Sequence, residues 1–350
     1  MKKAVSLTLV SILTFSLTSG CSRPGAAGMD GSVGSGHSGS AEYVLRLGHT
    51  VQGTSPTGQL YETVFEPYIE EHSNGRIDVQ IYSDSTLGND ASLTEALQLG
   101  TIEMASVPTS ALANFCADFV ALDLPFVFDN KETVYAALDG EFGDYFFDQL
   151  EDINIKGISW SENGFRNISS NKAVRTLNDM QGQKIRVMES QVYLSTMEAF
   201  GANPTPMAFN ELYTGLSQGT VDGQDNGIIL TYTAKLYEVQ DYYTICNYVY
   251  APACNLASLE WWNNLPEDLQ QVVQEGADLL TDALREKNAE LEEEYLALIE
   301  ESGTEIIYLD DAERERFREA CSGVYDEMRN YVSNPEVVDM TLAAAEEYAQ

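Results

Sequence analysis

The sequence predicts an α/β protein of two core-bearing domains joined by a long helix, and three observations predict it. Apolar runs of period two alternate with stretches of helical period. The alternation restarts at Ile155. A stretch opening at Pro266 could then run as one helix to Ser302, more than twice the mean helix of about 11–12 residues. A chain of 350 residues can bury two such cores, and its 44% hydrophobic and 21% charged residues are those of a folded protein.

The elements follow in order. Tyr43–His49 alternates as a strand, and Ser55–Ser73 reads as the helix after it. Arg76–Tyr82 is a second strand, and Ala91–Gly100 a helix closed by its glycine. Met104–Pro108 is a short apolar run, and Asp123–Phe128 a further segment with a fixed turn. In the second half, Ile155–Trp160 and Lys184–Met188 read as strands, and Gln191–Gly201 and Asn210–Gly219 as glycine-stopped helices. Tyr242–Leu259, aromatic and β-branched, suits strands crossing back to the first domain. Pro266 and the acidic residues after it suit a helix start, and the apolar positions beyond sustain no heptad, so the long helix bridges the domains. Strands and helices alternating in this way imply a parallel-rich sheet, with ligands at the carboxyl ends of its strands.

Charge excludes one class of partner. The chain carries 55 acidic and 19 basic residues, a formal net charge of -36. Nucleic acid needs clustered Lys and Arg to release counterions, and none are clustered here. The N-terminus reads as a targeting segment, residues 1–21: Lys2 and Lys3, then an apolar Ala4–Leu17 too short to span a bilayer. Leu17-Thr-Ser-Gly-Cys21 looks like a lipobox, with Thr18 where leucine is commoner; the alternative is a plain secretory cut nearby. Residues 22–41 are mostly Gly, Ser and Ala with hardly any large apolar residue, a flexible tether. The expected layout is a lipid on Cys21, a tether, and an extracytoplasmic body held at the membrane by the anchor alone. Cys116, Cys246, Cys254 and Cys321 match no zinc spacing, and only three histidines are present, so neither metal nor cofactor is expected. A Cys246–Cys254 bridge and buried free thiols both stand open.

Within this acidic chain, Arg166 and Arg186 lie in glycine-flanked apolar strands, a setting that presents a guanidinium to a bound anion. No H-E-x-x-H, G-x-S-x-G, P-loop or G-x-G-x-x-G appears, so nothing competes for an enzyme. A Ser-His-Asp site would have to draw on His49 or His72, and His72 sits in a polar helix end.

Phe165-Arg166, Gly182-Gln-Lys-Ile-Arg186-Val, Pro204-Thr-Pro-Met-Ala-Phe209-Asn-Glu-Leu-Tyr213 and Val221-Asp-Gly-Gln-Asp-Asn226 occur in that order, with Ser85–Asp90 before them and Leu265-Pro-Glu-Asp-Leu after. Together they resemble the solute-binding proteins of TRAP transporters, the DctP family, over nearly everything from Tyr43 to the late 330s. The resemblance implies a periplasmic-binding-protein-like clamshell with mixed sheets, divided as 42–163 with 252–291 and 164–251 with 292–350. It implies capture of an organic acid and delivery to an ion-coupled membrane permease. It makes Arg186 the carboxylate anchor, Arg166 a further polar contact, Phe209 a pocket wall and Asn226 the partner on the carboxylate's other side. Such a protein is expected to act as a monomer.

The residues add two details. Glu189, three positions after Arg186, stands either on the pocket rim or simply at a helix start. On the rim it would accept from hydroxyls and repel a second carboxylate, favouring an acidic sugar such as a hexuronate over a C4-dicarboxylate. Sialate-binding members place a glutamate in the segment matching Ser106-Val-Pro108, and Pro108 departs from that. A sensor ectodomain of the same fold is the other reading.

Overall fold

Residues 41–349 are described by the computed structural model of the chain, so the expected signal, the Cys21 anchor and all of the tether but Ala41 lie outside the described residues. In the first strand, β1 (Tyr43–Gly48), Leu45 and Leu47 point inward and are fully buried. Ser55 then caps α1 (Pro56–Leu60) by accepting from the Gly58 amide, with Pro56 at the position where a missing N–H costs nothing. The helix continues through a π turn, Tyr61–Phe65, into α2 (Glu66–His72). That turn keeps Tyr61, Phe65 and Ile69 on the buried face. β2 (Ile77–Tyr82), α3 (Asp90–Gln98) and β3 (Met104–Pro108) follow, the helix capped by Asn89. β1 runs parallel to both strands.

The chain then forms α4 (Thr109–Leu112), α5 (Lys131–Leu138) and α6 (Glu141–Glu151), and enters β4 (Ile155–Ser170). β5 (Lys184–Val187), α7 (Gln191–Ala199), β6 (Asn203–Pro206), α8 (Phe209–Ser217), β7 (Gly223–Asn226) and α9 (Ile228–Thr233) build the second lobe. β8 (Tyr242–Ser258) returns to the first lobe, where α10 (Leu259–Asn264) and α11 (Glu267–Glu301) follow. β9 (Glu305–Tyr308), α12 (Asp311–Ala320), α13 (Ser322–Tyr331) and α14 (Glu336–Tyr348) end the described chain.

The sheet order β2-β1-β3-β8-β4-β7-β5-β6, with β9 added on β8, shows how one sheet serves two lobes. β4 and β8 are antiparallel, from Ile155 opposite Ser258 to Ser170 opposite Tyr242. Near Ser258, the other edge of β8 carries β3 of the first lobe. Near Tyr242, that edge carries β9, while β4 carries β7 of the second lobe. The two long strands therefore form the crossing of a clamshell. Their pairing slips at Gly157/Ser159, Glu162/Gly164 and Arg166/Ile168, with Gly164 at φ +73°. Such bulges bend and twist a strand pair where it would otherwise run straight. The sheet is mixed: the parallel strands lie within each lobe and the antiparallel ones at the crossing.

The 35 residues of α11 lie across this crossing. Leu269, Val273, Ala277, Leu280 and Leu284 pack with Leu45, Tyr61 and Phe65 of the first lobe. Farther along, Leu291 and Tyr295 pack on Ile229 of α9 in the second. The last helix, α14, packs on α5 and α6. Cys116, Cys246, Cys254 and Cys321 are all free thiols, and Cys246 and Cys254 sit eight residues apart on one strand. That separates them by roughly 26 Å at about 3.3 Å per residue, which removes the bridge between them.

Candidate functional site

The cleft is built from the carboxyl ends of parallel strands. His49 follows β1, Pro108 ends β3, Met188 and Glu189 follow β5, Met207 follows β6 and Asn226 ends β7. Parallel strands converge their exits at one end of the sheet, and here two sets from two lobes face each other. Two small cavities lie between them, of about 40 and 30 Å³. Both are lined by Asp90, Pro108, Met188 and Phe209. Each is about the share of one water in the liquid, ~30 Å³. A wider recess of about 210 Å³, sharing Thr50 and Phe209 with the larger cavity, lies next to them.

Arg186 lines the smaller cavity together with Glu189. Its place on β5 is pinned by pairing with Thr205 and Gln224 on either side. Its side chain is 2% exposed, and Nε donates to the Met207 carbonyl at 2.9 Å. Nη1 has no partner. Burial, and then the nearby Arg166 against the attraction of Asp225, bring its pKa down to about 10. The guanidinium remains charged at neutral pH, but nothing close fully compensates it. A buried cation with an idle donor is a site prepared for an anion.

Arg166 lies behind the cavities. It is fully buried on β4 and lines neither cavity. Nε donates to Asp225 Oδ2 at 2.6 Å, and Nη2 donates to the Asp225 carbonyl. Although burial opposes its charge, Asp225, with Tyr193 and Tyr248, holds the guanidinium above its ordinary pKa. The Tyr193 ring lies 5.1 Å from its central carbon. Tyr248 also donates to Asp225 Oδ2. One idle atom, Nη1, is left to Arg166.

Phe209, the first residue of α8, walls both cavities. Asn226 is 1% exposed and lines the larger, with Nδ2 donating to Gln224 Oε1 at 2.6 Å. Glu189 is exposed at the rim, and its carbonyl accepts from Asn114 Nδ2 across the cleft at 2.7 Å. Arg186, Phe209, Asn226 and Glu189 are thus brought together, and Arg166 stands behind them.

Two ionisable residues in the cleft were not among the expected ligand contacts. Asp90, the half-buried first residue of α3, accepts from Thr50 Oγ1 at 3.1 Å. Burial between the lobes raises its pKa to about 6, against the pull of Arg186. His49 lines the larger cavity and is 2% exposed. The signal for it was the strand Tyr43–Gly48 itself, since the residue after a parallel strand lies at the ligand end of the sheet. A larger groove of about 580 Å³ lies on the outer face among α6, β4 and α11. It is lined by aspartates and shares no residue with the cleft.

Comparison with known proteins identifies the family and the fold. The family model for bacterial extracellular solute-binding protein, family 7 (DctP) matches residues 47–331. The C4-dicarboxylate-binding periplasmic protein DctP of Rhodobacter capsulatus is 32% identical over 312 residues, 87% of this chain and 91% of that protein. The sugar acid binding protein DctPAm of Advenella mimigardefordensis, solved in complex with galactonate, superposes with a TM-score of 0.84 at 34% identity, covering 87% of this chain and 98% of the other. A TRAP periplasmic solute binding protein of Xanthobacter autotrophicus Py2 with bound β-D-galacturonate gives 0.81 at 26% identity, covering 86% and 99%. The family is extracytoplasmic, and among the described residues no helix is long and apolar enough to cross a membrane. The chain belongs to the bacterial extracellular solute-binding proteins of family 7, the DctP family of TRAP transporter solute-binding proteins.

Proposed function

We propose that this protein captures a sugar acid, a hexuronate or its aldonate relative, through a single carboxylate held by Arg186. The observation that carries the reading is the buried Arg186 guanidinium, fixed at Nε by the Met207 carbonyl with Nη1 idle beside the cleft. A planar guanidinium matches a carboxylate through two parallel bonds, which a lysine ammonium cannot reproduce. Asn226 and Phe209 complete the site, the amide as a polar partner and the ring as a wall. Arg166 acts mainly by holding Asp225, so that one of two neighbouring guanidiniums is neutralised and the other left for the ligand.

The acidic residues of the cleft argue for hydroxyls over a second carboxylate. Asp90 lines both cavities and Glu189 stands at the rim of one, and two acids would repel a ligand with charge at both ends. The galactonate and galacturonate bound by the two similar structures fit this pattern. The second reading, a C4-dicarboxylate, is favoured by the name of the Rhodobacter relative. Closure about β4, β8 and α11 expels water and encloses the acid, and the closed form delivers it to a membrane permease. The protein works as a monomer held to the membrane through a lipid on Cys21.

A thermal-shift panel tests the choice. A ligand at 100 times its Kd adds about 2.7 kcal/mol of stability. D-Galacturonate or D-galactonate is expected to raise Tm and succinate to leave it unchanged. A shift with succinate and none with the sugar acids would overturn the sugar-acid reading. Silence with every carboxylate would overturn capture of an acid altogether.

A further inference from the structure

The outer groove of about 580 Å³ has the size of a small-ligand site and lies apart from the cleft. Its floor is aromatic. Phe147 of α6 stacks on Trp160 of β4, with centroids 4.3 Å apart and planes 13° from parallel. Gly157 makes this possible, because a Cβ there would stand 2.3 Å from the Phe147 ring. The walls are acidic. Asp144 and Asp148 stand one turn apart on α6, and Asp278 and Asp282 one turn apart on α11.

Among the described residues these four carboxylates pair with no cation. The two cations lining the groove are engaged elsewhere: Lys156 with Glu151 at 2.6 Å, and Arg285 with both oxygens of Asp139 at 2.6 and 2.8 Å. Like charges one turn apart on a helix repel, and each wall carries such a pair. Burial, and then the charges of Asp282, Asp139 and Glu275, hold the Asp278 carboxyl above its ordinary pKa. A second observation points to a ligand that also carries an acceptor. Trp160 is 5% exposed, and its indole N–H donates to no group among the described residues, although Nε1 is not sealed from solvent. A polar group so nearly buried is ordinarily paired. Here it opens on the groove that its ring lines.

We propose that this groove is a docking site for a short basic segment of a partner protein, separate from the cleft and independent of the acid captured there. Lysine or arginine heads of the segment meet the aspartates of the two walls, and their apolar stems lie along the Phe147–Trp160 stack. A main-chain carbonyl of the segment accepts from the Trp160 N–H. Each feature narrows the occupant. A metal ion would leave the aromatic floor bare, and among the described residues no three acids stand close enough to hold one. A free polyamine would satisfy the aspartates but brings no acceptor to the indole. Nucleic acid and anionic lipid are repelled by both walls. A basic peptide supplies cations and carbonyls along one chain, which suits two rows of acids with a donor on the floor.

The test titrates the full chain with the peptide acetyl-Lys-Ala-Lys-Ala-Lys amide and, separately, with spermidine, followed by calorimetry and by the indole ¹⁵N–¹H signals of the three tryptophans. The peptide is expected to bind and to shift the Trp160 signal, with Trp261 and Trp262 unmoved. Asp148→Asn combined with Asp282→Asn takes one charge from each wall and is expected to weaken the peptide at least about tenfold. Glu293→Gln combined with Glu294→Gln takes the same charge from exposed positions of α11 outside the groove. That control is expected to bind within twofold of wild type, and unchanged circular dichroism shows that both variants fold. If the groove variant does not fold, the Trp160 signal of wild type decides the matter. No peptide binding, an unmoved Trp160 signal at saturation, groove-variant affinity within twofold of wild type, or an equal loss in the control overturns the site. Spermidine that binds as tightly and shifts Trp160 alike overturns the peptide as occupant. None of these outcomes bears on the capture of an acid in the cleft.

Discussion

Asp225 Oδ2 accepts from Arg166 Nε at 2.6 Å, and both side chains are fully buried between β4 and β7. This pair decides the electrostatics of the cleft. Two guanidiniums lie close enough for each to disfavour the other's charge, and Asp225 is the counterion that lets both persist. Breaking a buried pair leaves one charge uncompensated, which costs about 3–5 kcal/mol. Asp225→Ala is therefore expected to lose about that much stability in urea unfolding. Replacing Arg166 and Asp225 together by Met and Leu should recover most of it. A loss under about 1 kcal/mol in Asp225→Ala would show that the pair does not carry this weight.

His49 gives a pH dependence with a definite sign. Its pKa falls from 6.5 to about 4 on folding, chiefly through burial. Between those values the unfolded chain binds a proton that the folded chain refuses, so the His49 contribution to stability falls as pH drops through this window. The full span amounts to roughly 3 kcal/mol at 1.36 kcal/mol per pKa unit. Asp123 and Asp90, raised by burial to about 7 and about 6, act in the opposite sense. The difference between wild type and His49→Phe isolates the histidine. Their Tm values should diverge from pH 7 to pH 4.5, wild type falling faster, and parallel curves would contradict the assignment.

The cysteines of the body are expected to remain thiols. Alkylation in denaturant without reductant, followed by peptide mass spectrometry, should find Cys116, Cys246, Cys254 and Cys321 each modified. In native buffer, half-buried Cys116 should react ahead of the three buried ones. A linked Cys246–Cys254 peptide would contradict the placement of both on β8.

Much of this fold is legible in the sequence where local chemistry punctuates it. Ser55 and Pro56, the glycines closing α3, α7 and α8, and Pro266 before α11 mark ends that the structure keeps within a residue or two. The strand Ile155–Trp160 was legible, but its continuation to Ser170 was not, because bulges at Glu162/Gly164 and Arg166/Ile168 break the alternation that marks a strand. Nothing in the expected series corresponds to α5, α6 or the last three helices, whose amphipathic faces depend on partners distant in sequence. The site divides in the same way. Arg186, Phe209 and Asn226 sit in local motifs at strand ends, and the structure gathers them in the cleft. The work of Arg166 depends on Asp225, 59 residues away and brought opposite only by the β4–β7 register. No local pattern records such a pairing.

The central claim is that Arg186 anchors a ligand carboxylate, and titration calorimetry of D-galacturonate into wild type, Arg186→Lys and Arg186→Ala tests it most directly. Truncating one partner of a buried charge pair costs about 2–5 kcal/mol. Arg186→Ala should therefore lose roughly two to three orders of magnitude in affinity. Arg186→Lys should recover little of it, because lysine lacks the planar fork. Unchanged circular dichroism would show that the fold persists. Arg186→Ala binding the acid as tightly as wild type would contradict the account.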